Sequence, residues 1–112
     1  MGDTMRPLAD NANLGDLQLY VAQSEAERGF SEETTLQKCL LLGEEIGELF
    51  KAVRKHEGLA VDPYSVTTPI SEELADILFY LCAVANRYEI DLEAAFREKE
   101  RVNETRLWKT AV

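Results

Sequence analysis

Two stretches of this chain place pairs of carboxylates on helix faces that are otherwise apolar. In Leu42-Gly-Glu-Glu-Ile-Gly-Glu-Leu-Phe50, Glu45 and Glu48 are three residues apart and fall about 60° apart on one side of a helix. Projected at about 100° per residue, Glu45 lies among Leu41, Leu42, Leu49 and Ala52. The arrangement recurs in Ile70-Ser-Glu-Glu-Leu-Ala-Asp-Ile-Leu-Phe-Tyr80. There Glu73 and Asp76 share the same spacing, and Glu73 lies among Ile70, Ile77, Tyr80 and Val84. Four carboxylates gathered against apolar surface need a cation, since an unpaired buried charge costs several kcal/mol. An all-oxygen ligand set favours a hard divalent ion, Mg²⁺ or Mn²⁺.

The rest of the chain reads as one small helical domain of about residues 13–112, behind a flexible, polar N-terminal tail of about residues 1–12. Leu14, Leu17, Tyr20, Val21 and Ser24 recur at helical spacing, with a stop at Gly29 behind Arg28. Ser31 is the expected cap of the second helix, whose apolar positions run from Leu36 to Val53 before Arg54-Lys55-His56 and Gly58. Gly43 and Gly47, costly inside a helix, suggest close approach of another backbone. Residues 57–67 form a loop. Thr68-Pro69 then reads as an N-cap followed by an N1 proline, opening a third helix to about Arg87. Asp91 caps a last helix whose apolar stripe reaches Trp108. The third helix is apolar nearly all round, from Leu74 to Ala85. Four short helices cannot cover such a surface alone, so a partner subunit is expected, with Leu78, Phe79 and Cys82 near the interface. No strand pattern or internal repeat is visible.

Bulk properties remove several classes of function. A net charge of −9, from 12 basic and 21 acidic residues, argues against a binder of nucleic-acid polymers. The two cysteines, Cys39 and Cys82, form no Cys-x-x-Cys or Cys/His group and suit a reducing cytoplasm. The first 20 residues lack a signal-peptide core, Arg6 stands where a myristoylation site wants Ser or Thr, and the apolar run from Ile77 to Ala85 is too short to span a membrane. The single histidine, His56, suits a helix C-terminus. Phe30, Tyr80 and Trp108 could stack on a base, although aromatic residues at such spacings more often belong to a core or an interface.

Glu-Glu-Ile-Gly-Glu at 44–48 followed by Glu-Glu-Leu-Ala-Asp at 72–76 resembles the E-x-x-E then E-x-x-D signature of the MazG-like, all-α nucleoside triphosphate pyrophosphatases. That superfamily includes dimeric dUTPases and phosphoribosyl-ATP pyrophosphatases. The resemblance covers roughly residues 14–108. It implies Mg²⁺, with Mn²⁺ able to substitute, held by Glu45, Glu48, Glu73 and Asp76. It also implies assembly as a homodimer or homotetramer. Lys99 and Asn103 match a Lys and an Asn often found near the nucleotide in the family's last helix. Arg106 follows three residues later, on the side of Leu92 and Phe96, where cations and amides could hold phosphate oxygens.

The expectation is therefore an all-α, four-helix MazG-like bundle completed by oligomerisation. Its expected activity is Mg²⁺-dependent pyrophosphohydrolysis of an NTP or dNTP to the monophosphate and pyrophosphate, a reaction suited to nucleotide-pool house-cleaning. Glu44 or Glu45 is the candidate general base, while Glu44 and Glu72 also suit surface or supporting positions. A di-iron bundle needs Glu-x-x-His pairs, which one histidine cannot supply. The remaining alternative is a non-catalytic helical interaction or regulatory module that retains the metal-binding fold.

Overall fold

A computed structural model describes residues 7–60 and 62–106. Four helices and no strand run through these residues: α1 (Leu14–Arg28), α2 (Thr35–His56), α3 (Ile70–Arg87) and α4 (Leu92–Glu104). The all-α expectation holds. Residues 1–6 of the expected tail, and Trp108, lie outside the described residues.

Local chemistry sets the helix ends. Asn13 and Asp16 form a reciprocal capping box at the start of α1, and Gly29 closes that helix in the left-handed conformation (φ 79°). The bond from Phe30 N–H to Glu25 O, 2.7 Å, completes a Schellman-type turn. Gly58 (φ 75°) plays the same part after α2, where Leu59 N–H reaches Arg54 O at 2.9 Å.

Two expected starts move. The cap of α2 is Thr34 rather than Ser31, because Thr34 and Gln37 satisfy each other's backbone N–H groups in a second capping box. At α3, Pro69 rather than Thr68 occupies the cap position, with no side-chain cap bond. The α4 helix starts as expected, with Asp91 accepting from Ala94 N–H at 3.1 Å, and stops at Glu104.

The principal pair is α2 on α3; α1 lies on α3, and α4 rests chiefly on α1. Val21, Cys82 and Ala83 form a small core, flanked by Leu17, Phe79 and Leu92. Cys82 is 0% exposed, a buried side chain inside this core rather than one near a subunit interface, and Phe79 packs beside it. The outward stripe of α3 is instead Leu74, Leu78 and Leu81, spaced four and three residues apart and 52%, 39% and 43% exposed. Gln18 staples α1 to the turn before α4. Its amide donates to Asn86 Oδ1 (3.1 Å) and Ile90 O (2.7 Å), and its oxygen accepts from Leu92 N–H (2.9 Å).

The strongest tie joins three helices through charge. Glu25 of α1 is buried and accepts two 2.8 Å hydrogen bonds from the Arg87 guanidinium of α3. Lys38 of α2, 1% exposed, lies 3.2 Å from the same carboxylate and 2.9 Å from Glu33. Burial pushes the Glu25 pKa up, but hydrogen bonding and attraction from Arg87 and Lys38 outweigh it and hold the carboxyl below the usual range. Arg87 also donates to the carbonyls of Phe30, Glu33 and Ala83, fixing the α1–α2 turn against the end of α3.

Glu25→Gln leaves the largely buried Arg87 without its carboxylate and Lys38 with Glu33 alone, and should destabilise the fold by about 3–5 kcal/mol in urea denaturation. Because the folded pKa of Glu25 is lowered, its contribution is present above the unfolded value of 4.5 and lost as pH falls through the folded value. The variant should therefore also lose part of the wild type's acid-induced drop in stability.

Candidate active site

The α2–α3 pair brings three of the sequence-identified carboxylates together. Glu45 from α2 and Glu73 and Asp76 from α3 each offer one oxygen, all within 4.8 Å of one another. Glu73 is 5% exposed, Glu45 half-buried and Asp76 exposed, so the group runs from the helix interface out to solvent. Glu73 Oε1 accepts a hydrogen bond from the Thr68 hydroxyl, whereas Glu73 Oε2 is buried with no hydrogen-bond partner. Such an atom is expensive to keep unless something else satisfies it. Burial, then hydrogen bonding and repulsion from Glu73, and then repulsion from Asp76 and Glu44, push the Glu45 pKa up to about 7. Three hard oxygen donors, from carboxylates that include the buried Glu73, fit a divalent cation of the Mg²⁺ or Mn²⁺ type.

Glu48 lies one turn beyond Glu45. Its carboxylate is outside the three-oxygen group and forms an ion pair with Lys51 at 3.3 Å. Glu44 and Glu72 are exposed beside the cluster.

A cavity of about 290 Å³ adjoins Asp76 and is lined by Arg28, Phe30, Glu33, Lys38, Leu41, Phe79 and Tyr80. Aromatic rings and fixed cations share its walls. The Lys38 ammonium is 5.1 Å from the Phe30 ring centroid and 5.6 Å from that of Tyr80, and the Arg28 guanidinium is 5.7 Å from that of Phe79. Burial, followed by the nearby Glu45 charge, pushes the Tyr80 phenol pKa up. The phenol is therefore a neutral hydrogen-bonding group at physiological pH.

The last helix is placed differently. Lys99 is exposed on α4, Asn103 is half-buried and donates to Glu100 at 3.1 Å, and Arg106 follows the helix in an exposed turn. With α4 resting on α1, the described contacts do not bring these three against the carboxylates.

Sequence reasoning missed Lys38, Arg87 and Thr68 as neighbours of the site. Lys38 carried a weak signal, since it precedes Leu41 and Leu42 on the same helix and follows the acidic Glu32-Glu33 pair. The part played by Arg87 depends on a contact 62 residues away in the chain, which no local pattern displays.

The chain matches the MazG nucleotide pyrophosphohydrolase domain over residues 30–106 and belongs to that family. It is similar to two solved structures of iMazG from Vibrio DAT 722. The C-tagged form is 29% identical with a TM-score of 0.66, covering 84% of this chain and 100% of that one. The N-tagged form is 28% identical with a TM-score of 0.63, covering 88% and 100%. No curated protein matches the chain. No helix among the described residues is long and apolar enough to cross a membrane.

The raised Glu45 pKa gives a pH signature. Its folded value of about 7 lies above the unfolded 4.5, so its contribution to the stability of metal-free protein is fully present below 4.5 and lost as pH rises through 7. A divalent ion needs the deprotonated form. Melting temperature in EDTA should fall from Glu45 across that window, and the increase on adding Mg²⁺ should be larger at pH 8 than at pH 5. Equal increases at both pH values would count against Glu45 as a ligand.

Proposed function

We propose that this MazG-family protein is a Mg²⁺-dependent hydrolase that converts an NTP or dNTP to its monophosphate and pyrophosphate, as a house-cleaning enzyme of a cytoplasmic nucleotide pool. The observation that carries the reading is the convergence of Glu45, Glu73 and Asp76 beside a cleft with aromatic and cationic walls. Both cysteines are free thiols, which suits a reducing compartment.

In this reading Glu45, Glu73 and Asp76 hold the cation, and Glu48 joins them by exchanging Lys51 for it. Bound by these residues, Mg²⁺ or Mn²⁺ would supply charge neutralisation at the phosphates and a more acidic water. Glu44 or Glu45 accepts the water's proton. The Phe30, Phe79 and Tyr80 walls receive the nucleoside, with Tyr80 near enough to the carboxylates to orient it. Lys99, Asn103 and Arg106, which α4 does not bring against the carboxylates of the same chain, would act on the phosphate chain from a second copy.

The working unit is a homodimer or homotetramer. Two outward stripes support this: Leu74, Leu78 and Leu81 on α3, and Leu36, Leu40, Gly43, Gly47 and Phe50 on α2. The second repeats at alternating four- and three-residue spacing, the pattern of a helix-packing seam. Among the described residues, nothing beyond the helix's own adjacent backbone lies within 4 Å of where a Cβ would stand on Gly43 or Gly47, which leaves room there for a second copy.

Pyrophosphate release with Mg²⁺, screened over standard and damaged nucleoside triphosphates, tests the activity. Glu48→Gln and Asp76→Asn should each abolish turnover while the helical circular dichroism is retained. Metal binding without turnover on any triphosphate would favour a regulatory module instead. Lys99→Ala should reduce kcat/KM by about ten- to a hundredfold, the value of a charge-assisted contact of about 1.5–3 kcal/mol, with Mn²⁺ affinity of the free protein unchanged. Light scattering should find no folded monomer at micromolar concentration; a monodisperse monomer there sinks the assembly.

A further inference from the structure

The Thr68 hydroxyl is spent in an unexpected place. Thr68 precedes Pro69, and a threonine at a helix start ordinarily accepts a hydrogen bond from a first-turn N–H. Here α3 begins at Ile70 without any side-chain cap bond. Thr68 Oγ1 instead donates to Glu73 Oε1. The proline contributes to this outcome. It disfavours helical backbone at the residue before it, so Thr68 stays in the incoming segment beside the first turn of α3.

The consequence falls on Glu73. The terminal torsion of a glutamate is broad, so an unrestrained carboxylate rotates freely. With Oε1 engaged by Thr68, the oxygen left with unused lone pairs is Oε2, which is buried with no N–H or hydroxyl donor; apart from Thr68, only the Glu45 carboxyl, when protonated, hydrogen-bonds Glu73. Glu73 is the most buried of the three clustered carboxylates, and a misdirected oxygen there has no water to relax into. We propose that Thr68 is a positioning residue for the divalent centre, holding Glu73 Oε1 so that Oε2 is presented to the cation. The proposal rests on the metal-centre reading given above. It assigns Thr68 no contact with substrate. It also ties the connection between α2 and α3 to the site, because the hydroxyl that orients the ligand belongs to that connection and not to either helix.

Calorimetric titration of Mn²⁺ into the full-length, nucleotide-free protein tests this without reference to turnover. Removing an outer hydrogen-bond partner of a metal ligand typically weakens metal binding about 10–100-fold. Thr68→Val keeps the shape without the hydroxyl and should show that loss. Thr68→Ala, a second hydroxyl-free side chain, should show it too. Thr68→Ser, which keeps the donor, should bind Mn²⁺ nearly as wild type does. Circular dichroism in EDTA checks that each variant is folded. Wild-type Mn²⁺ affinity in the Val and Ala variants overturns the role of Thr68, even if their melting temperatures fall. Failure of Thr68→Ser to restore affinity overturns it as well. A wild-type protein that binds no Mn²⁺ overturns the metal centre itself, and the proposal with it.

Discussion

The buried carboxylate of Glu25 is the interaction on which the arrangement of α1, α2 and α3 depends. A lone carboxylate in that position would carry a desolvation penalty of several kcal/mol. Arg87 answers it with two parallel hydrogen bonds, and Lys38 brings a second cation from another helix. Since each partner comes from a different helix, the pair is satisfied only when the three helices are mutually in register. The apolar core alone would specify this less well. Val21, Cys82 and Ala83 are small, and small cores tolerate sliding better than a bidentate ion pair does.

The same molecule treats its other carboxylates in the opposite way. Glu25 is matched by protein cations, whereas Glu45, Glu73 and Asp76 approach one another with none supplied to their oxygens among the described contacts. The outcome is visible in protonation: Glu25 is held below the ordinary range, and Glu45 is raised to about 7. Lys38, a cation on the same helix as Glu45, is already committed to Glu25 and Glu33. This division keeps the carboxylate centre electron-rich and its charge unspent, the condition under which a divalent cation can be both bound and exchanged. Meanwhile Lys38 and Arg28 lie over the aromatic rings of the neighbouring cleft, whose walls also carry Glu33 and Asp76.

Much of the architecture was legible because it is local. The four helices, the stop at Gly29, the Asp91 cap and the family signature depend on spacings of three or four residues, which a sequence displays directly. The shifts at Thr34 and Thr68 arose where two residues competed for one role. Ser31 and Thr34 both suit a cap, and the Gln37 that decides between them acts through a reciprocal bond. Thr68 had a choice between backbone and carboxylate, and only the folded position of Glu73 decides that choice. The convergence of Glu45 with Glu73 and Asp76 needed one long-range fact, that α2 and α3 pack together. The pairing of Glu48 with Lys51 and the placement of α4 on α1 needed others, which periodicity does not contain.

The helix wheels also separate the two tasks of α2 and α3. On α2 the stripe through Leu36, Leu40, Gly43, Gly47 and Phe50 lies roughly opposite Glu45. On α3 the stripe through Leu74, Leu78 and Leu81 lies roughly opposite Asp76. Each helix therefore carries carboxylates on one side and unburied apolar surface on the other. In the proposed oligomer a second copy could cover the apolar sides without occluding the carboxylate centre. The glycines fit the same logic. Each costs about 1 kcal/mol relative to alanine within a helix, and no described residue packs closely enough on either position to recover that cost. Close backbone approach by another helix would recover it, because apolar contact area grows as two helix axes come nearer. Assembly would then stiffen the helices from their outer faces, and the precision of the carboxylate geometry would depend on contacts made on the far side of the same two helices.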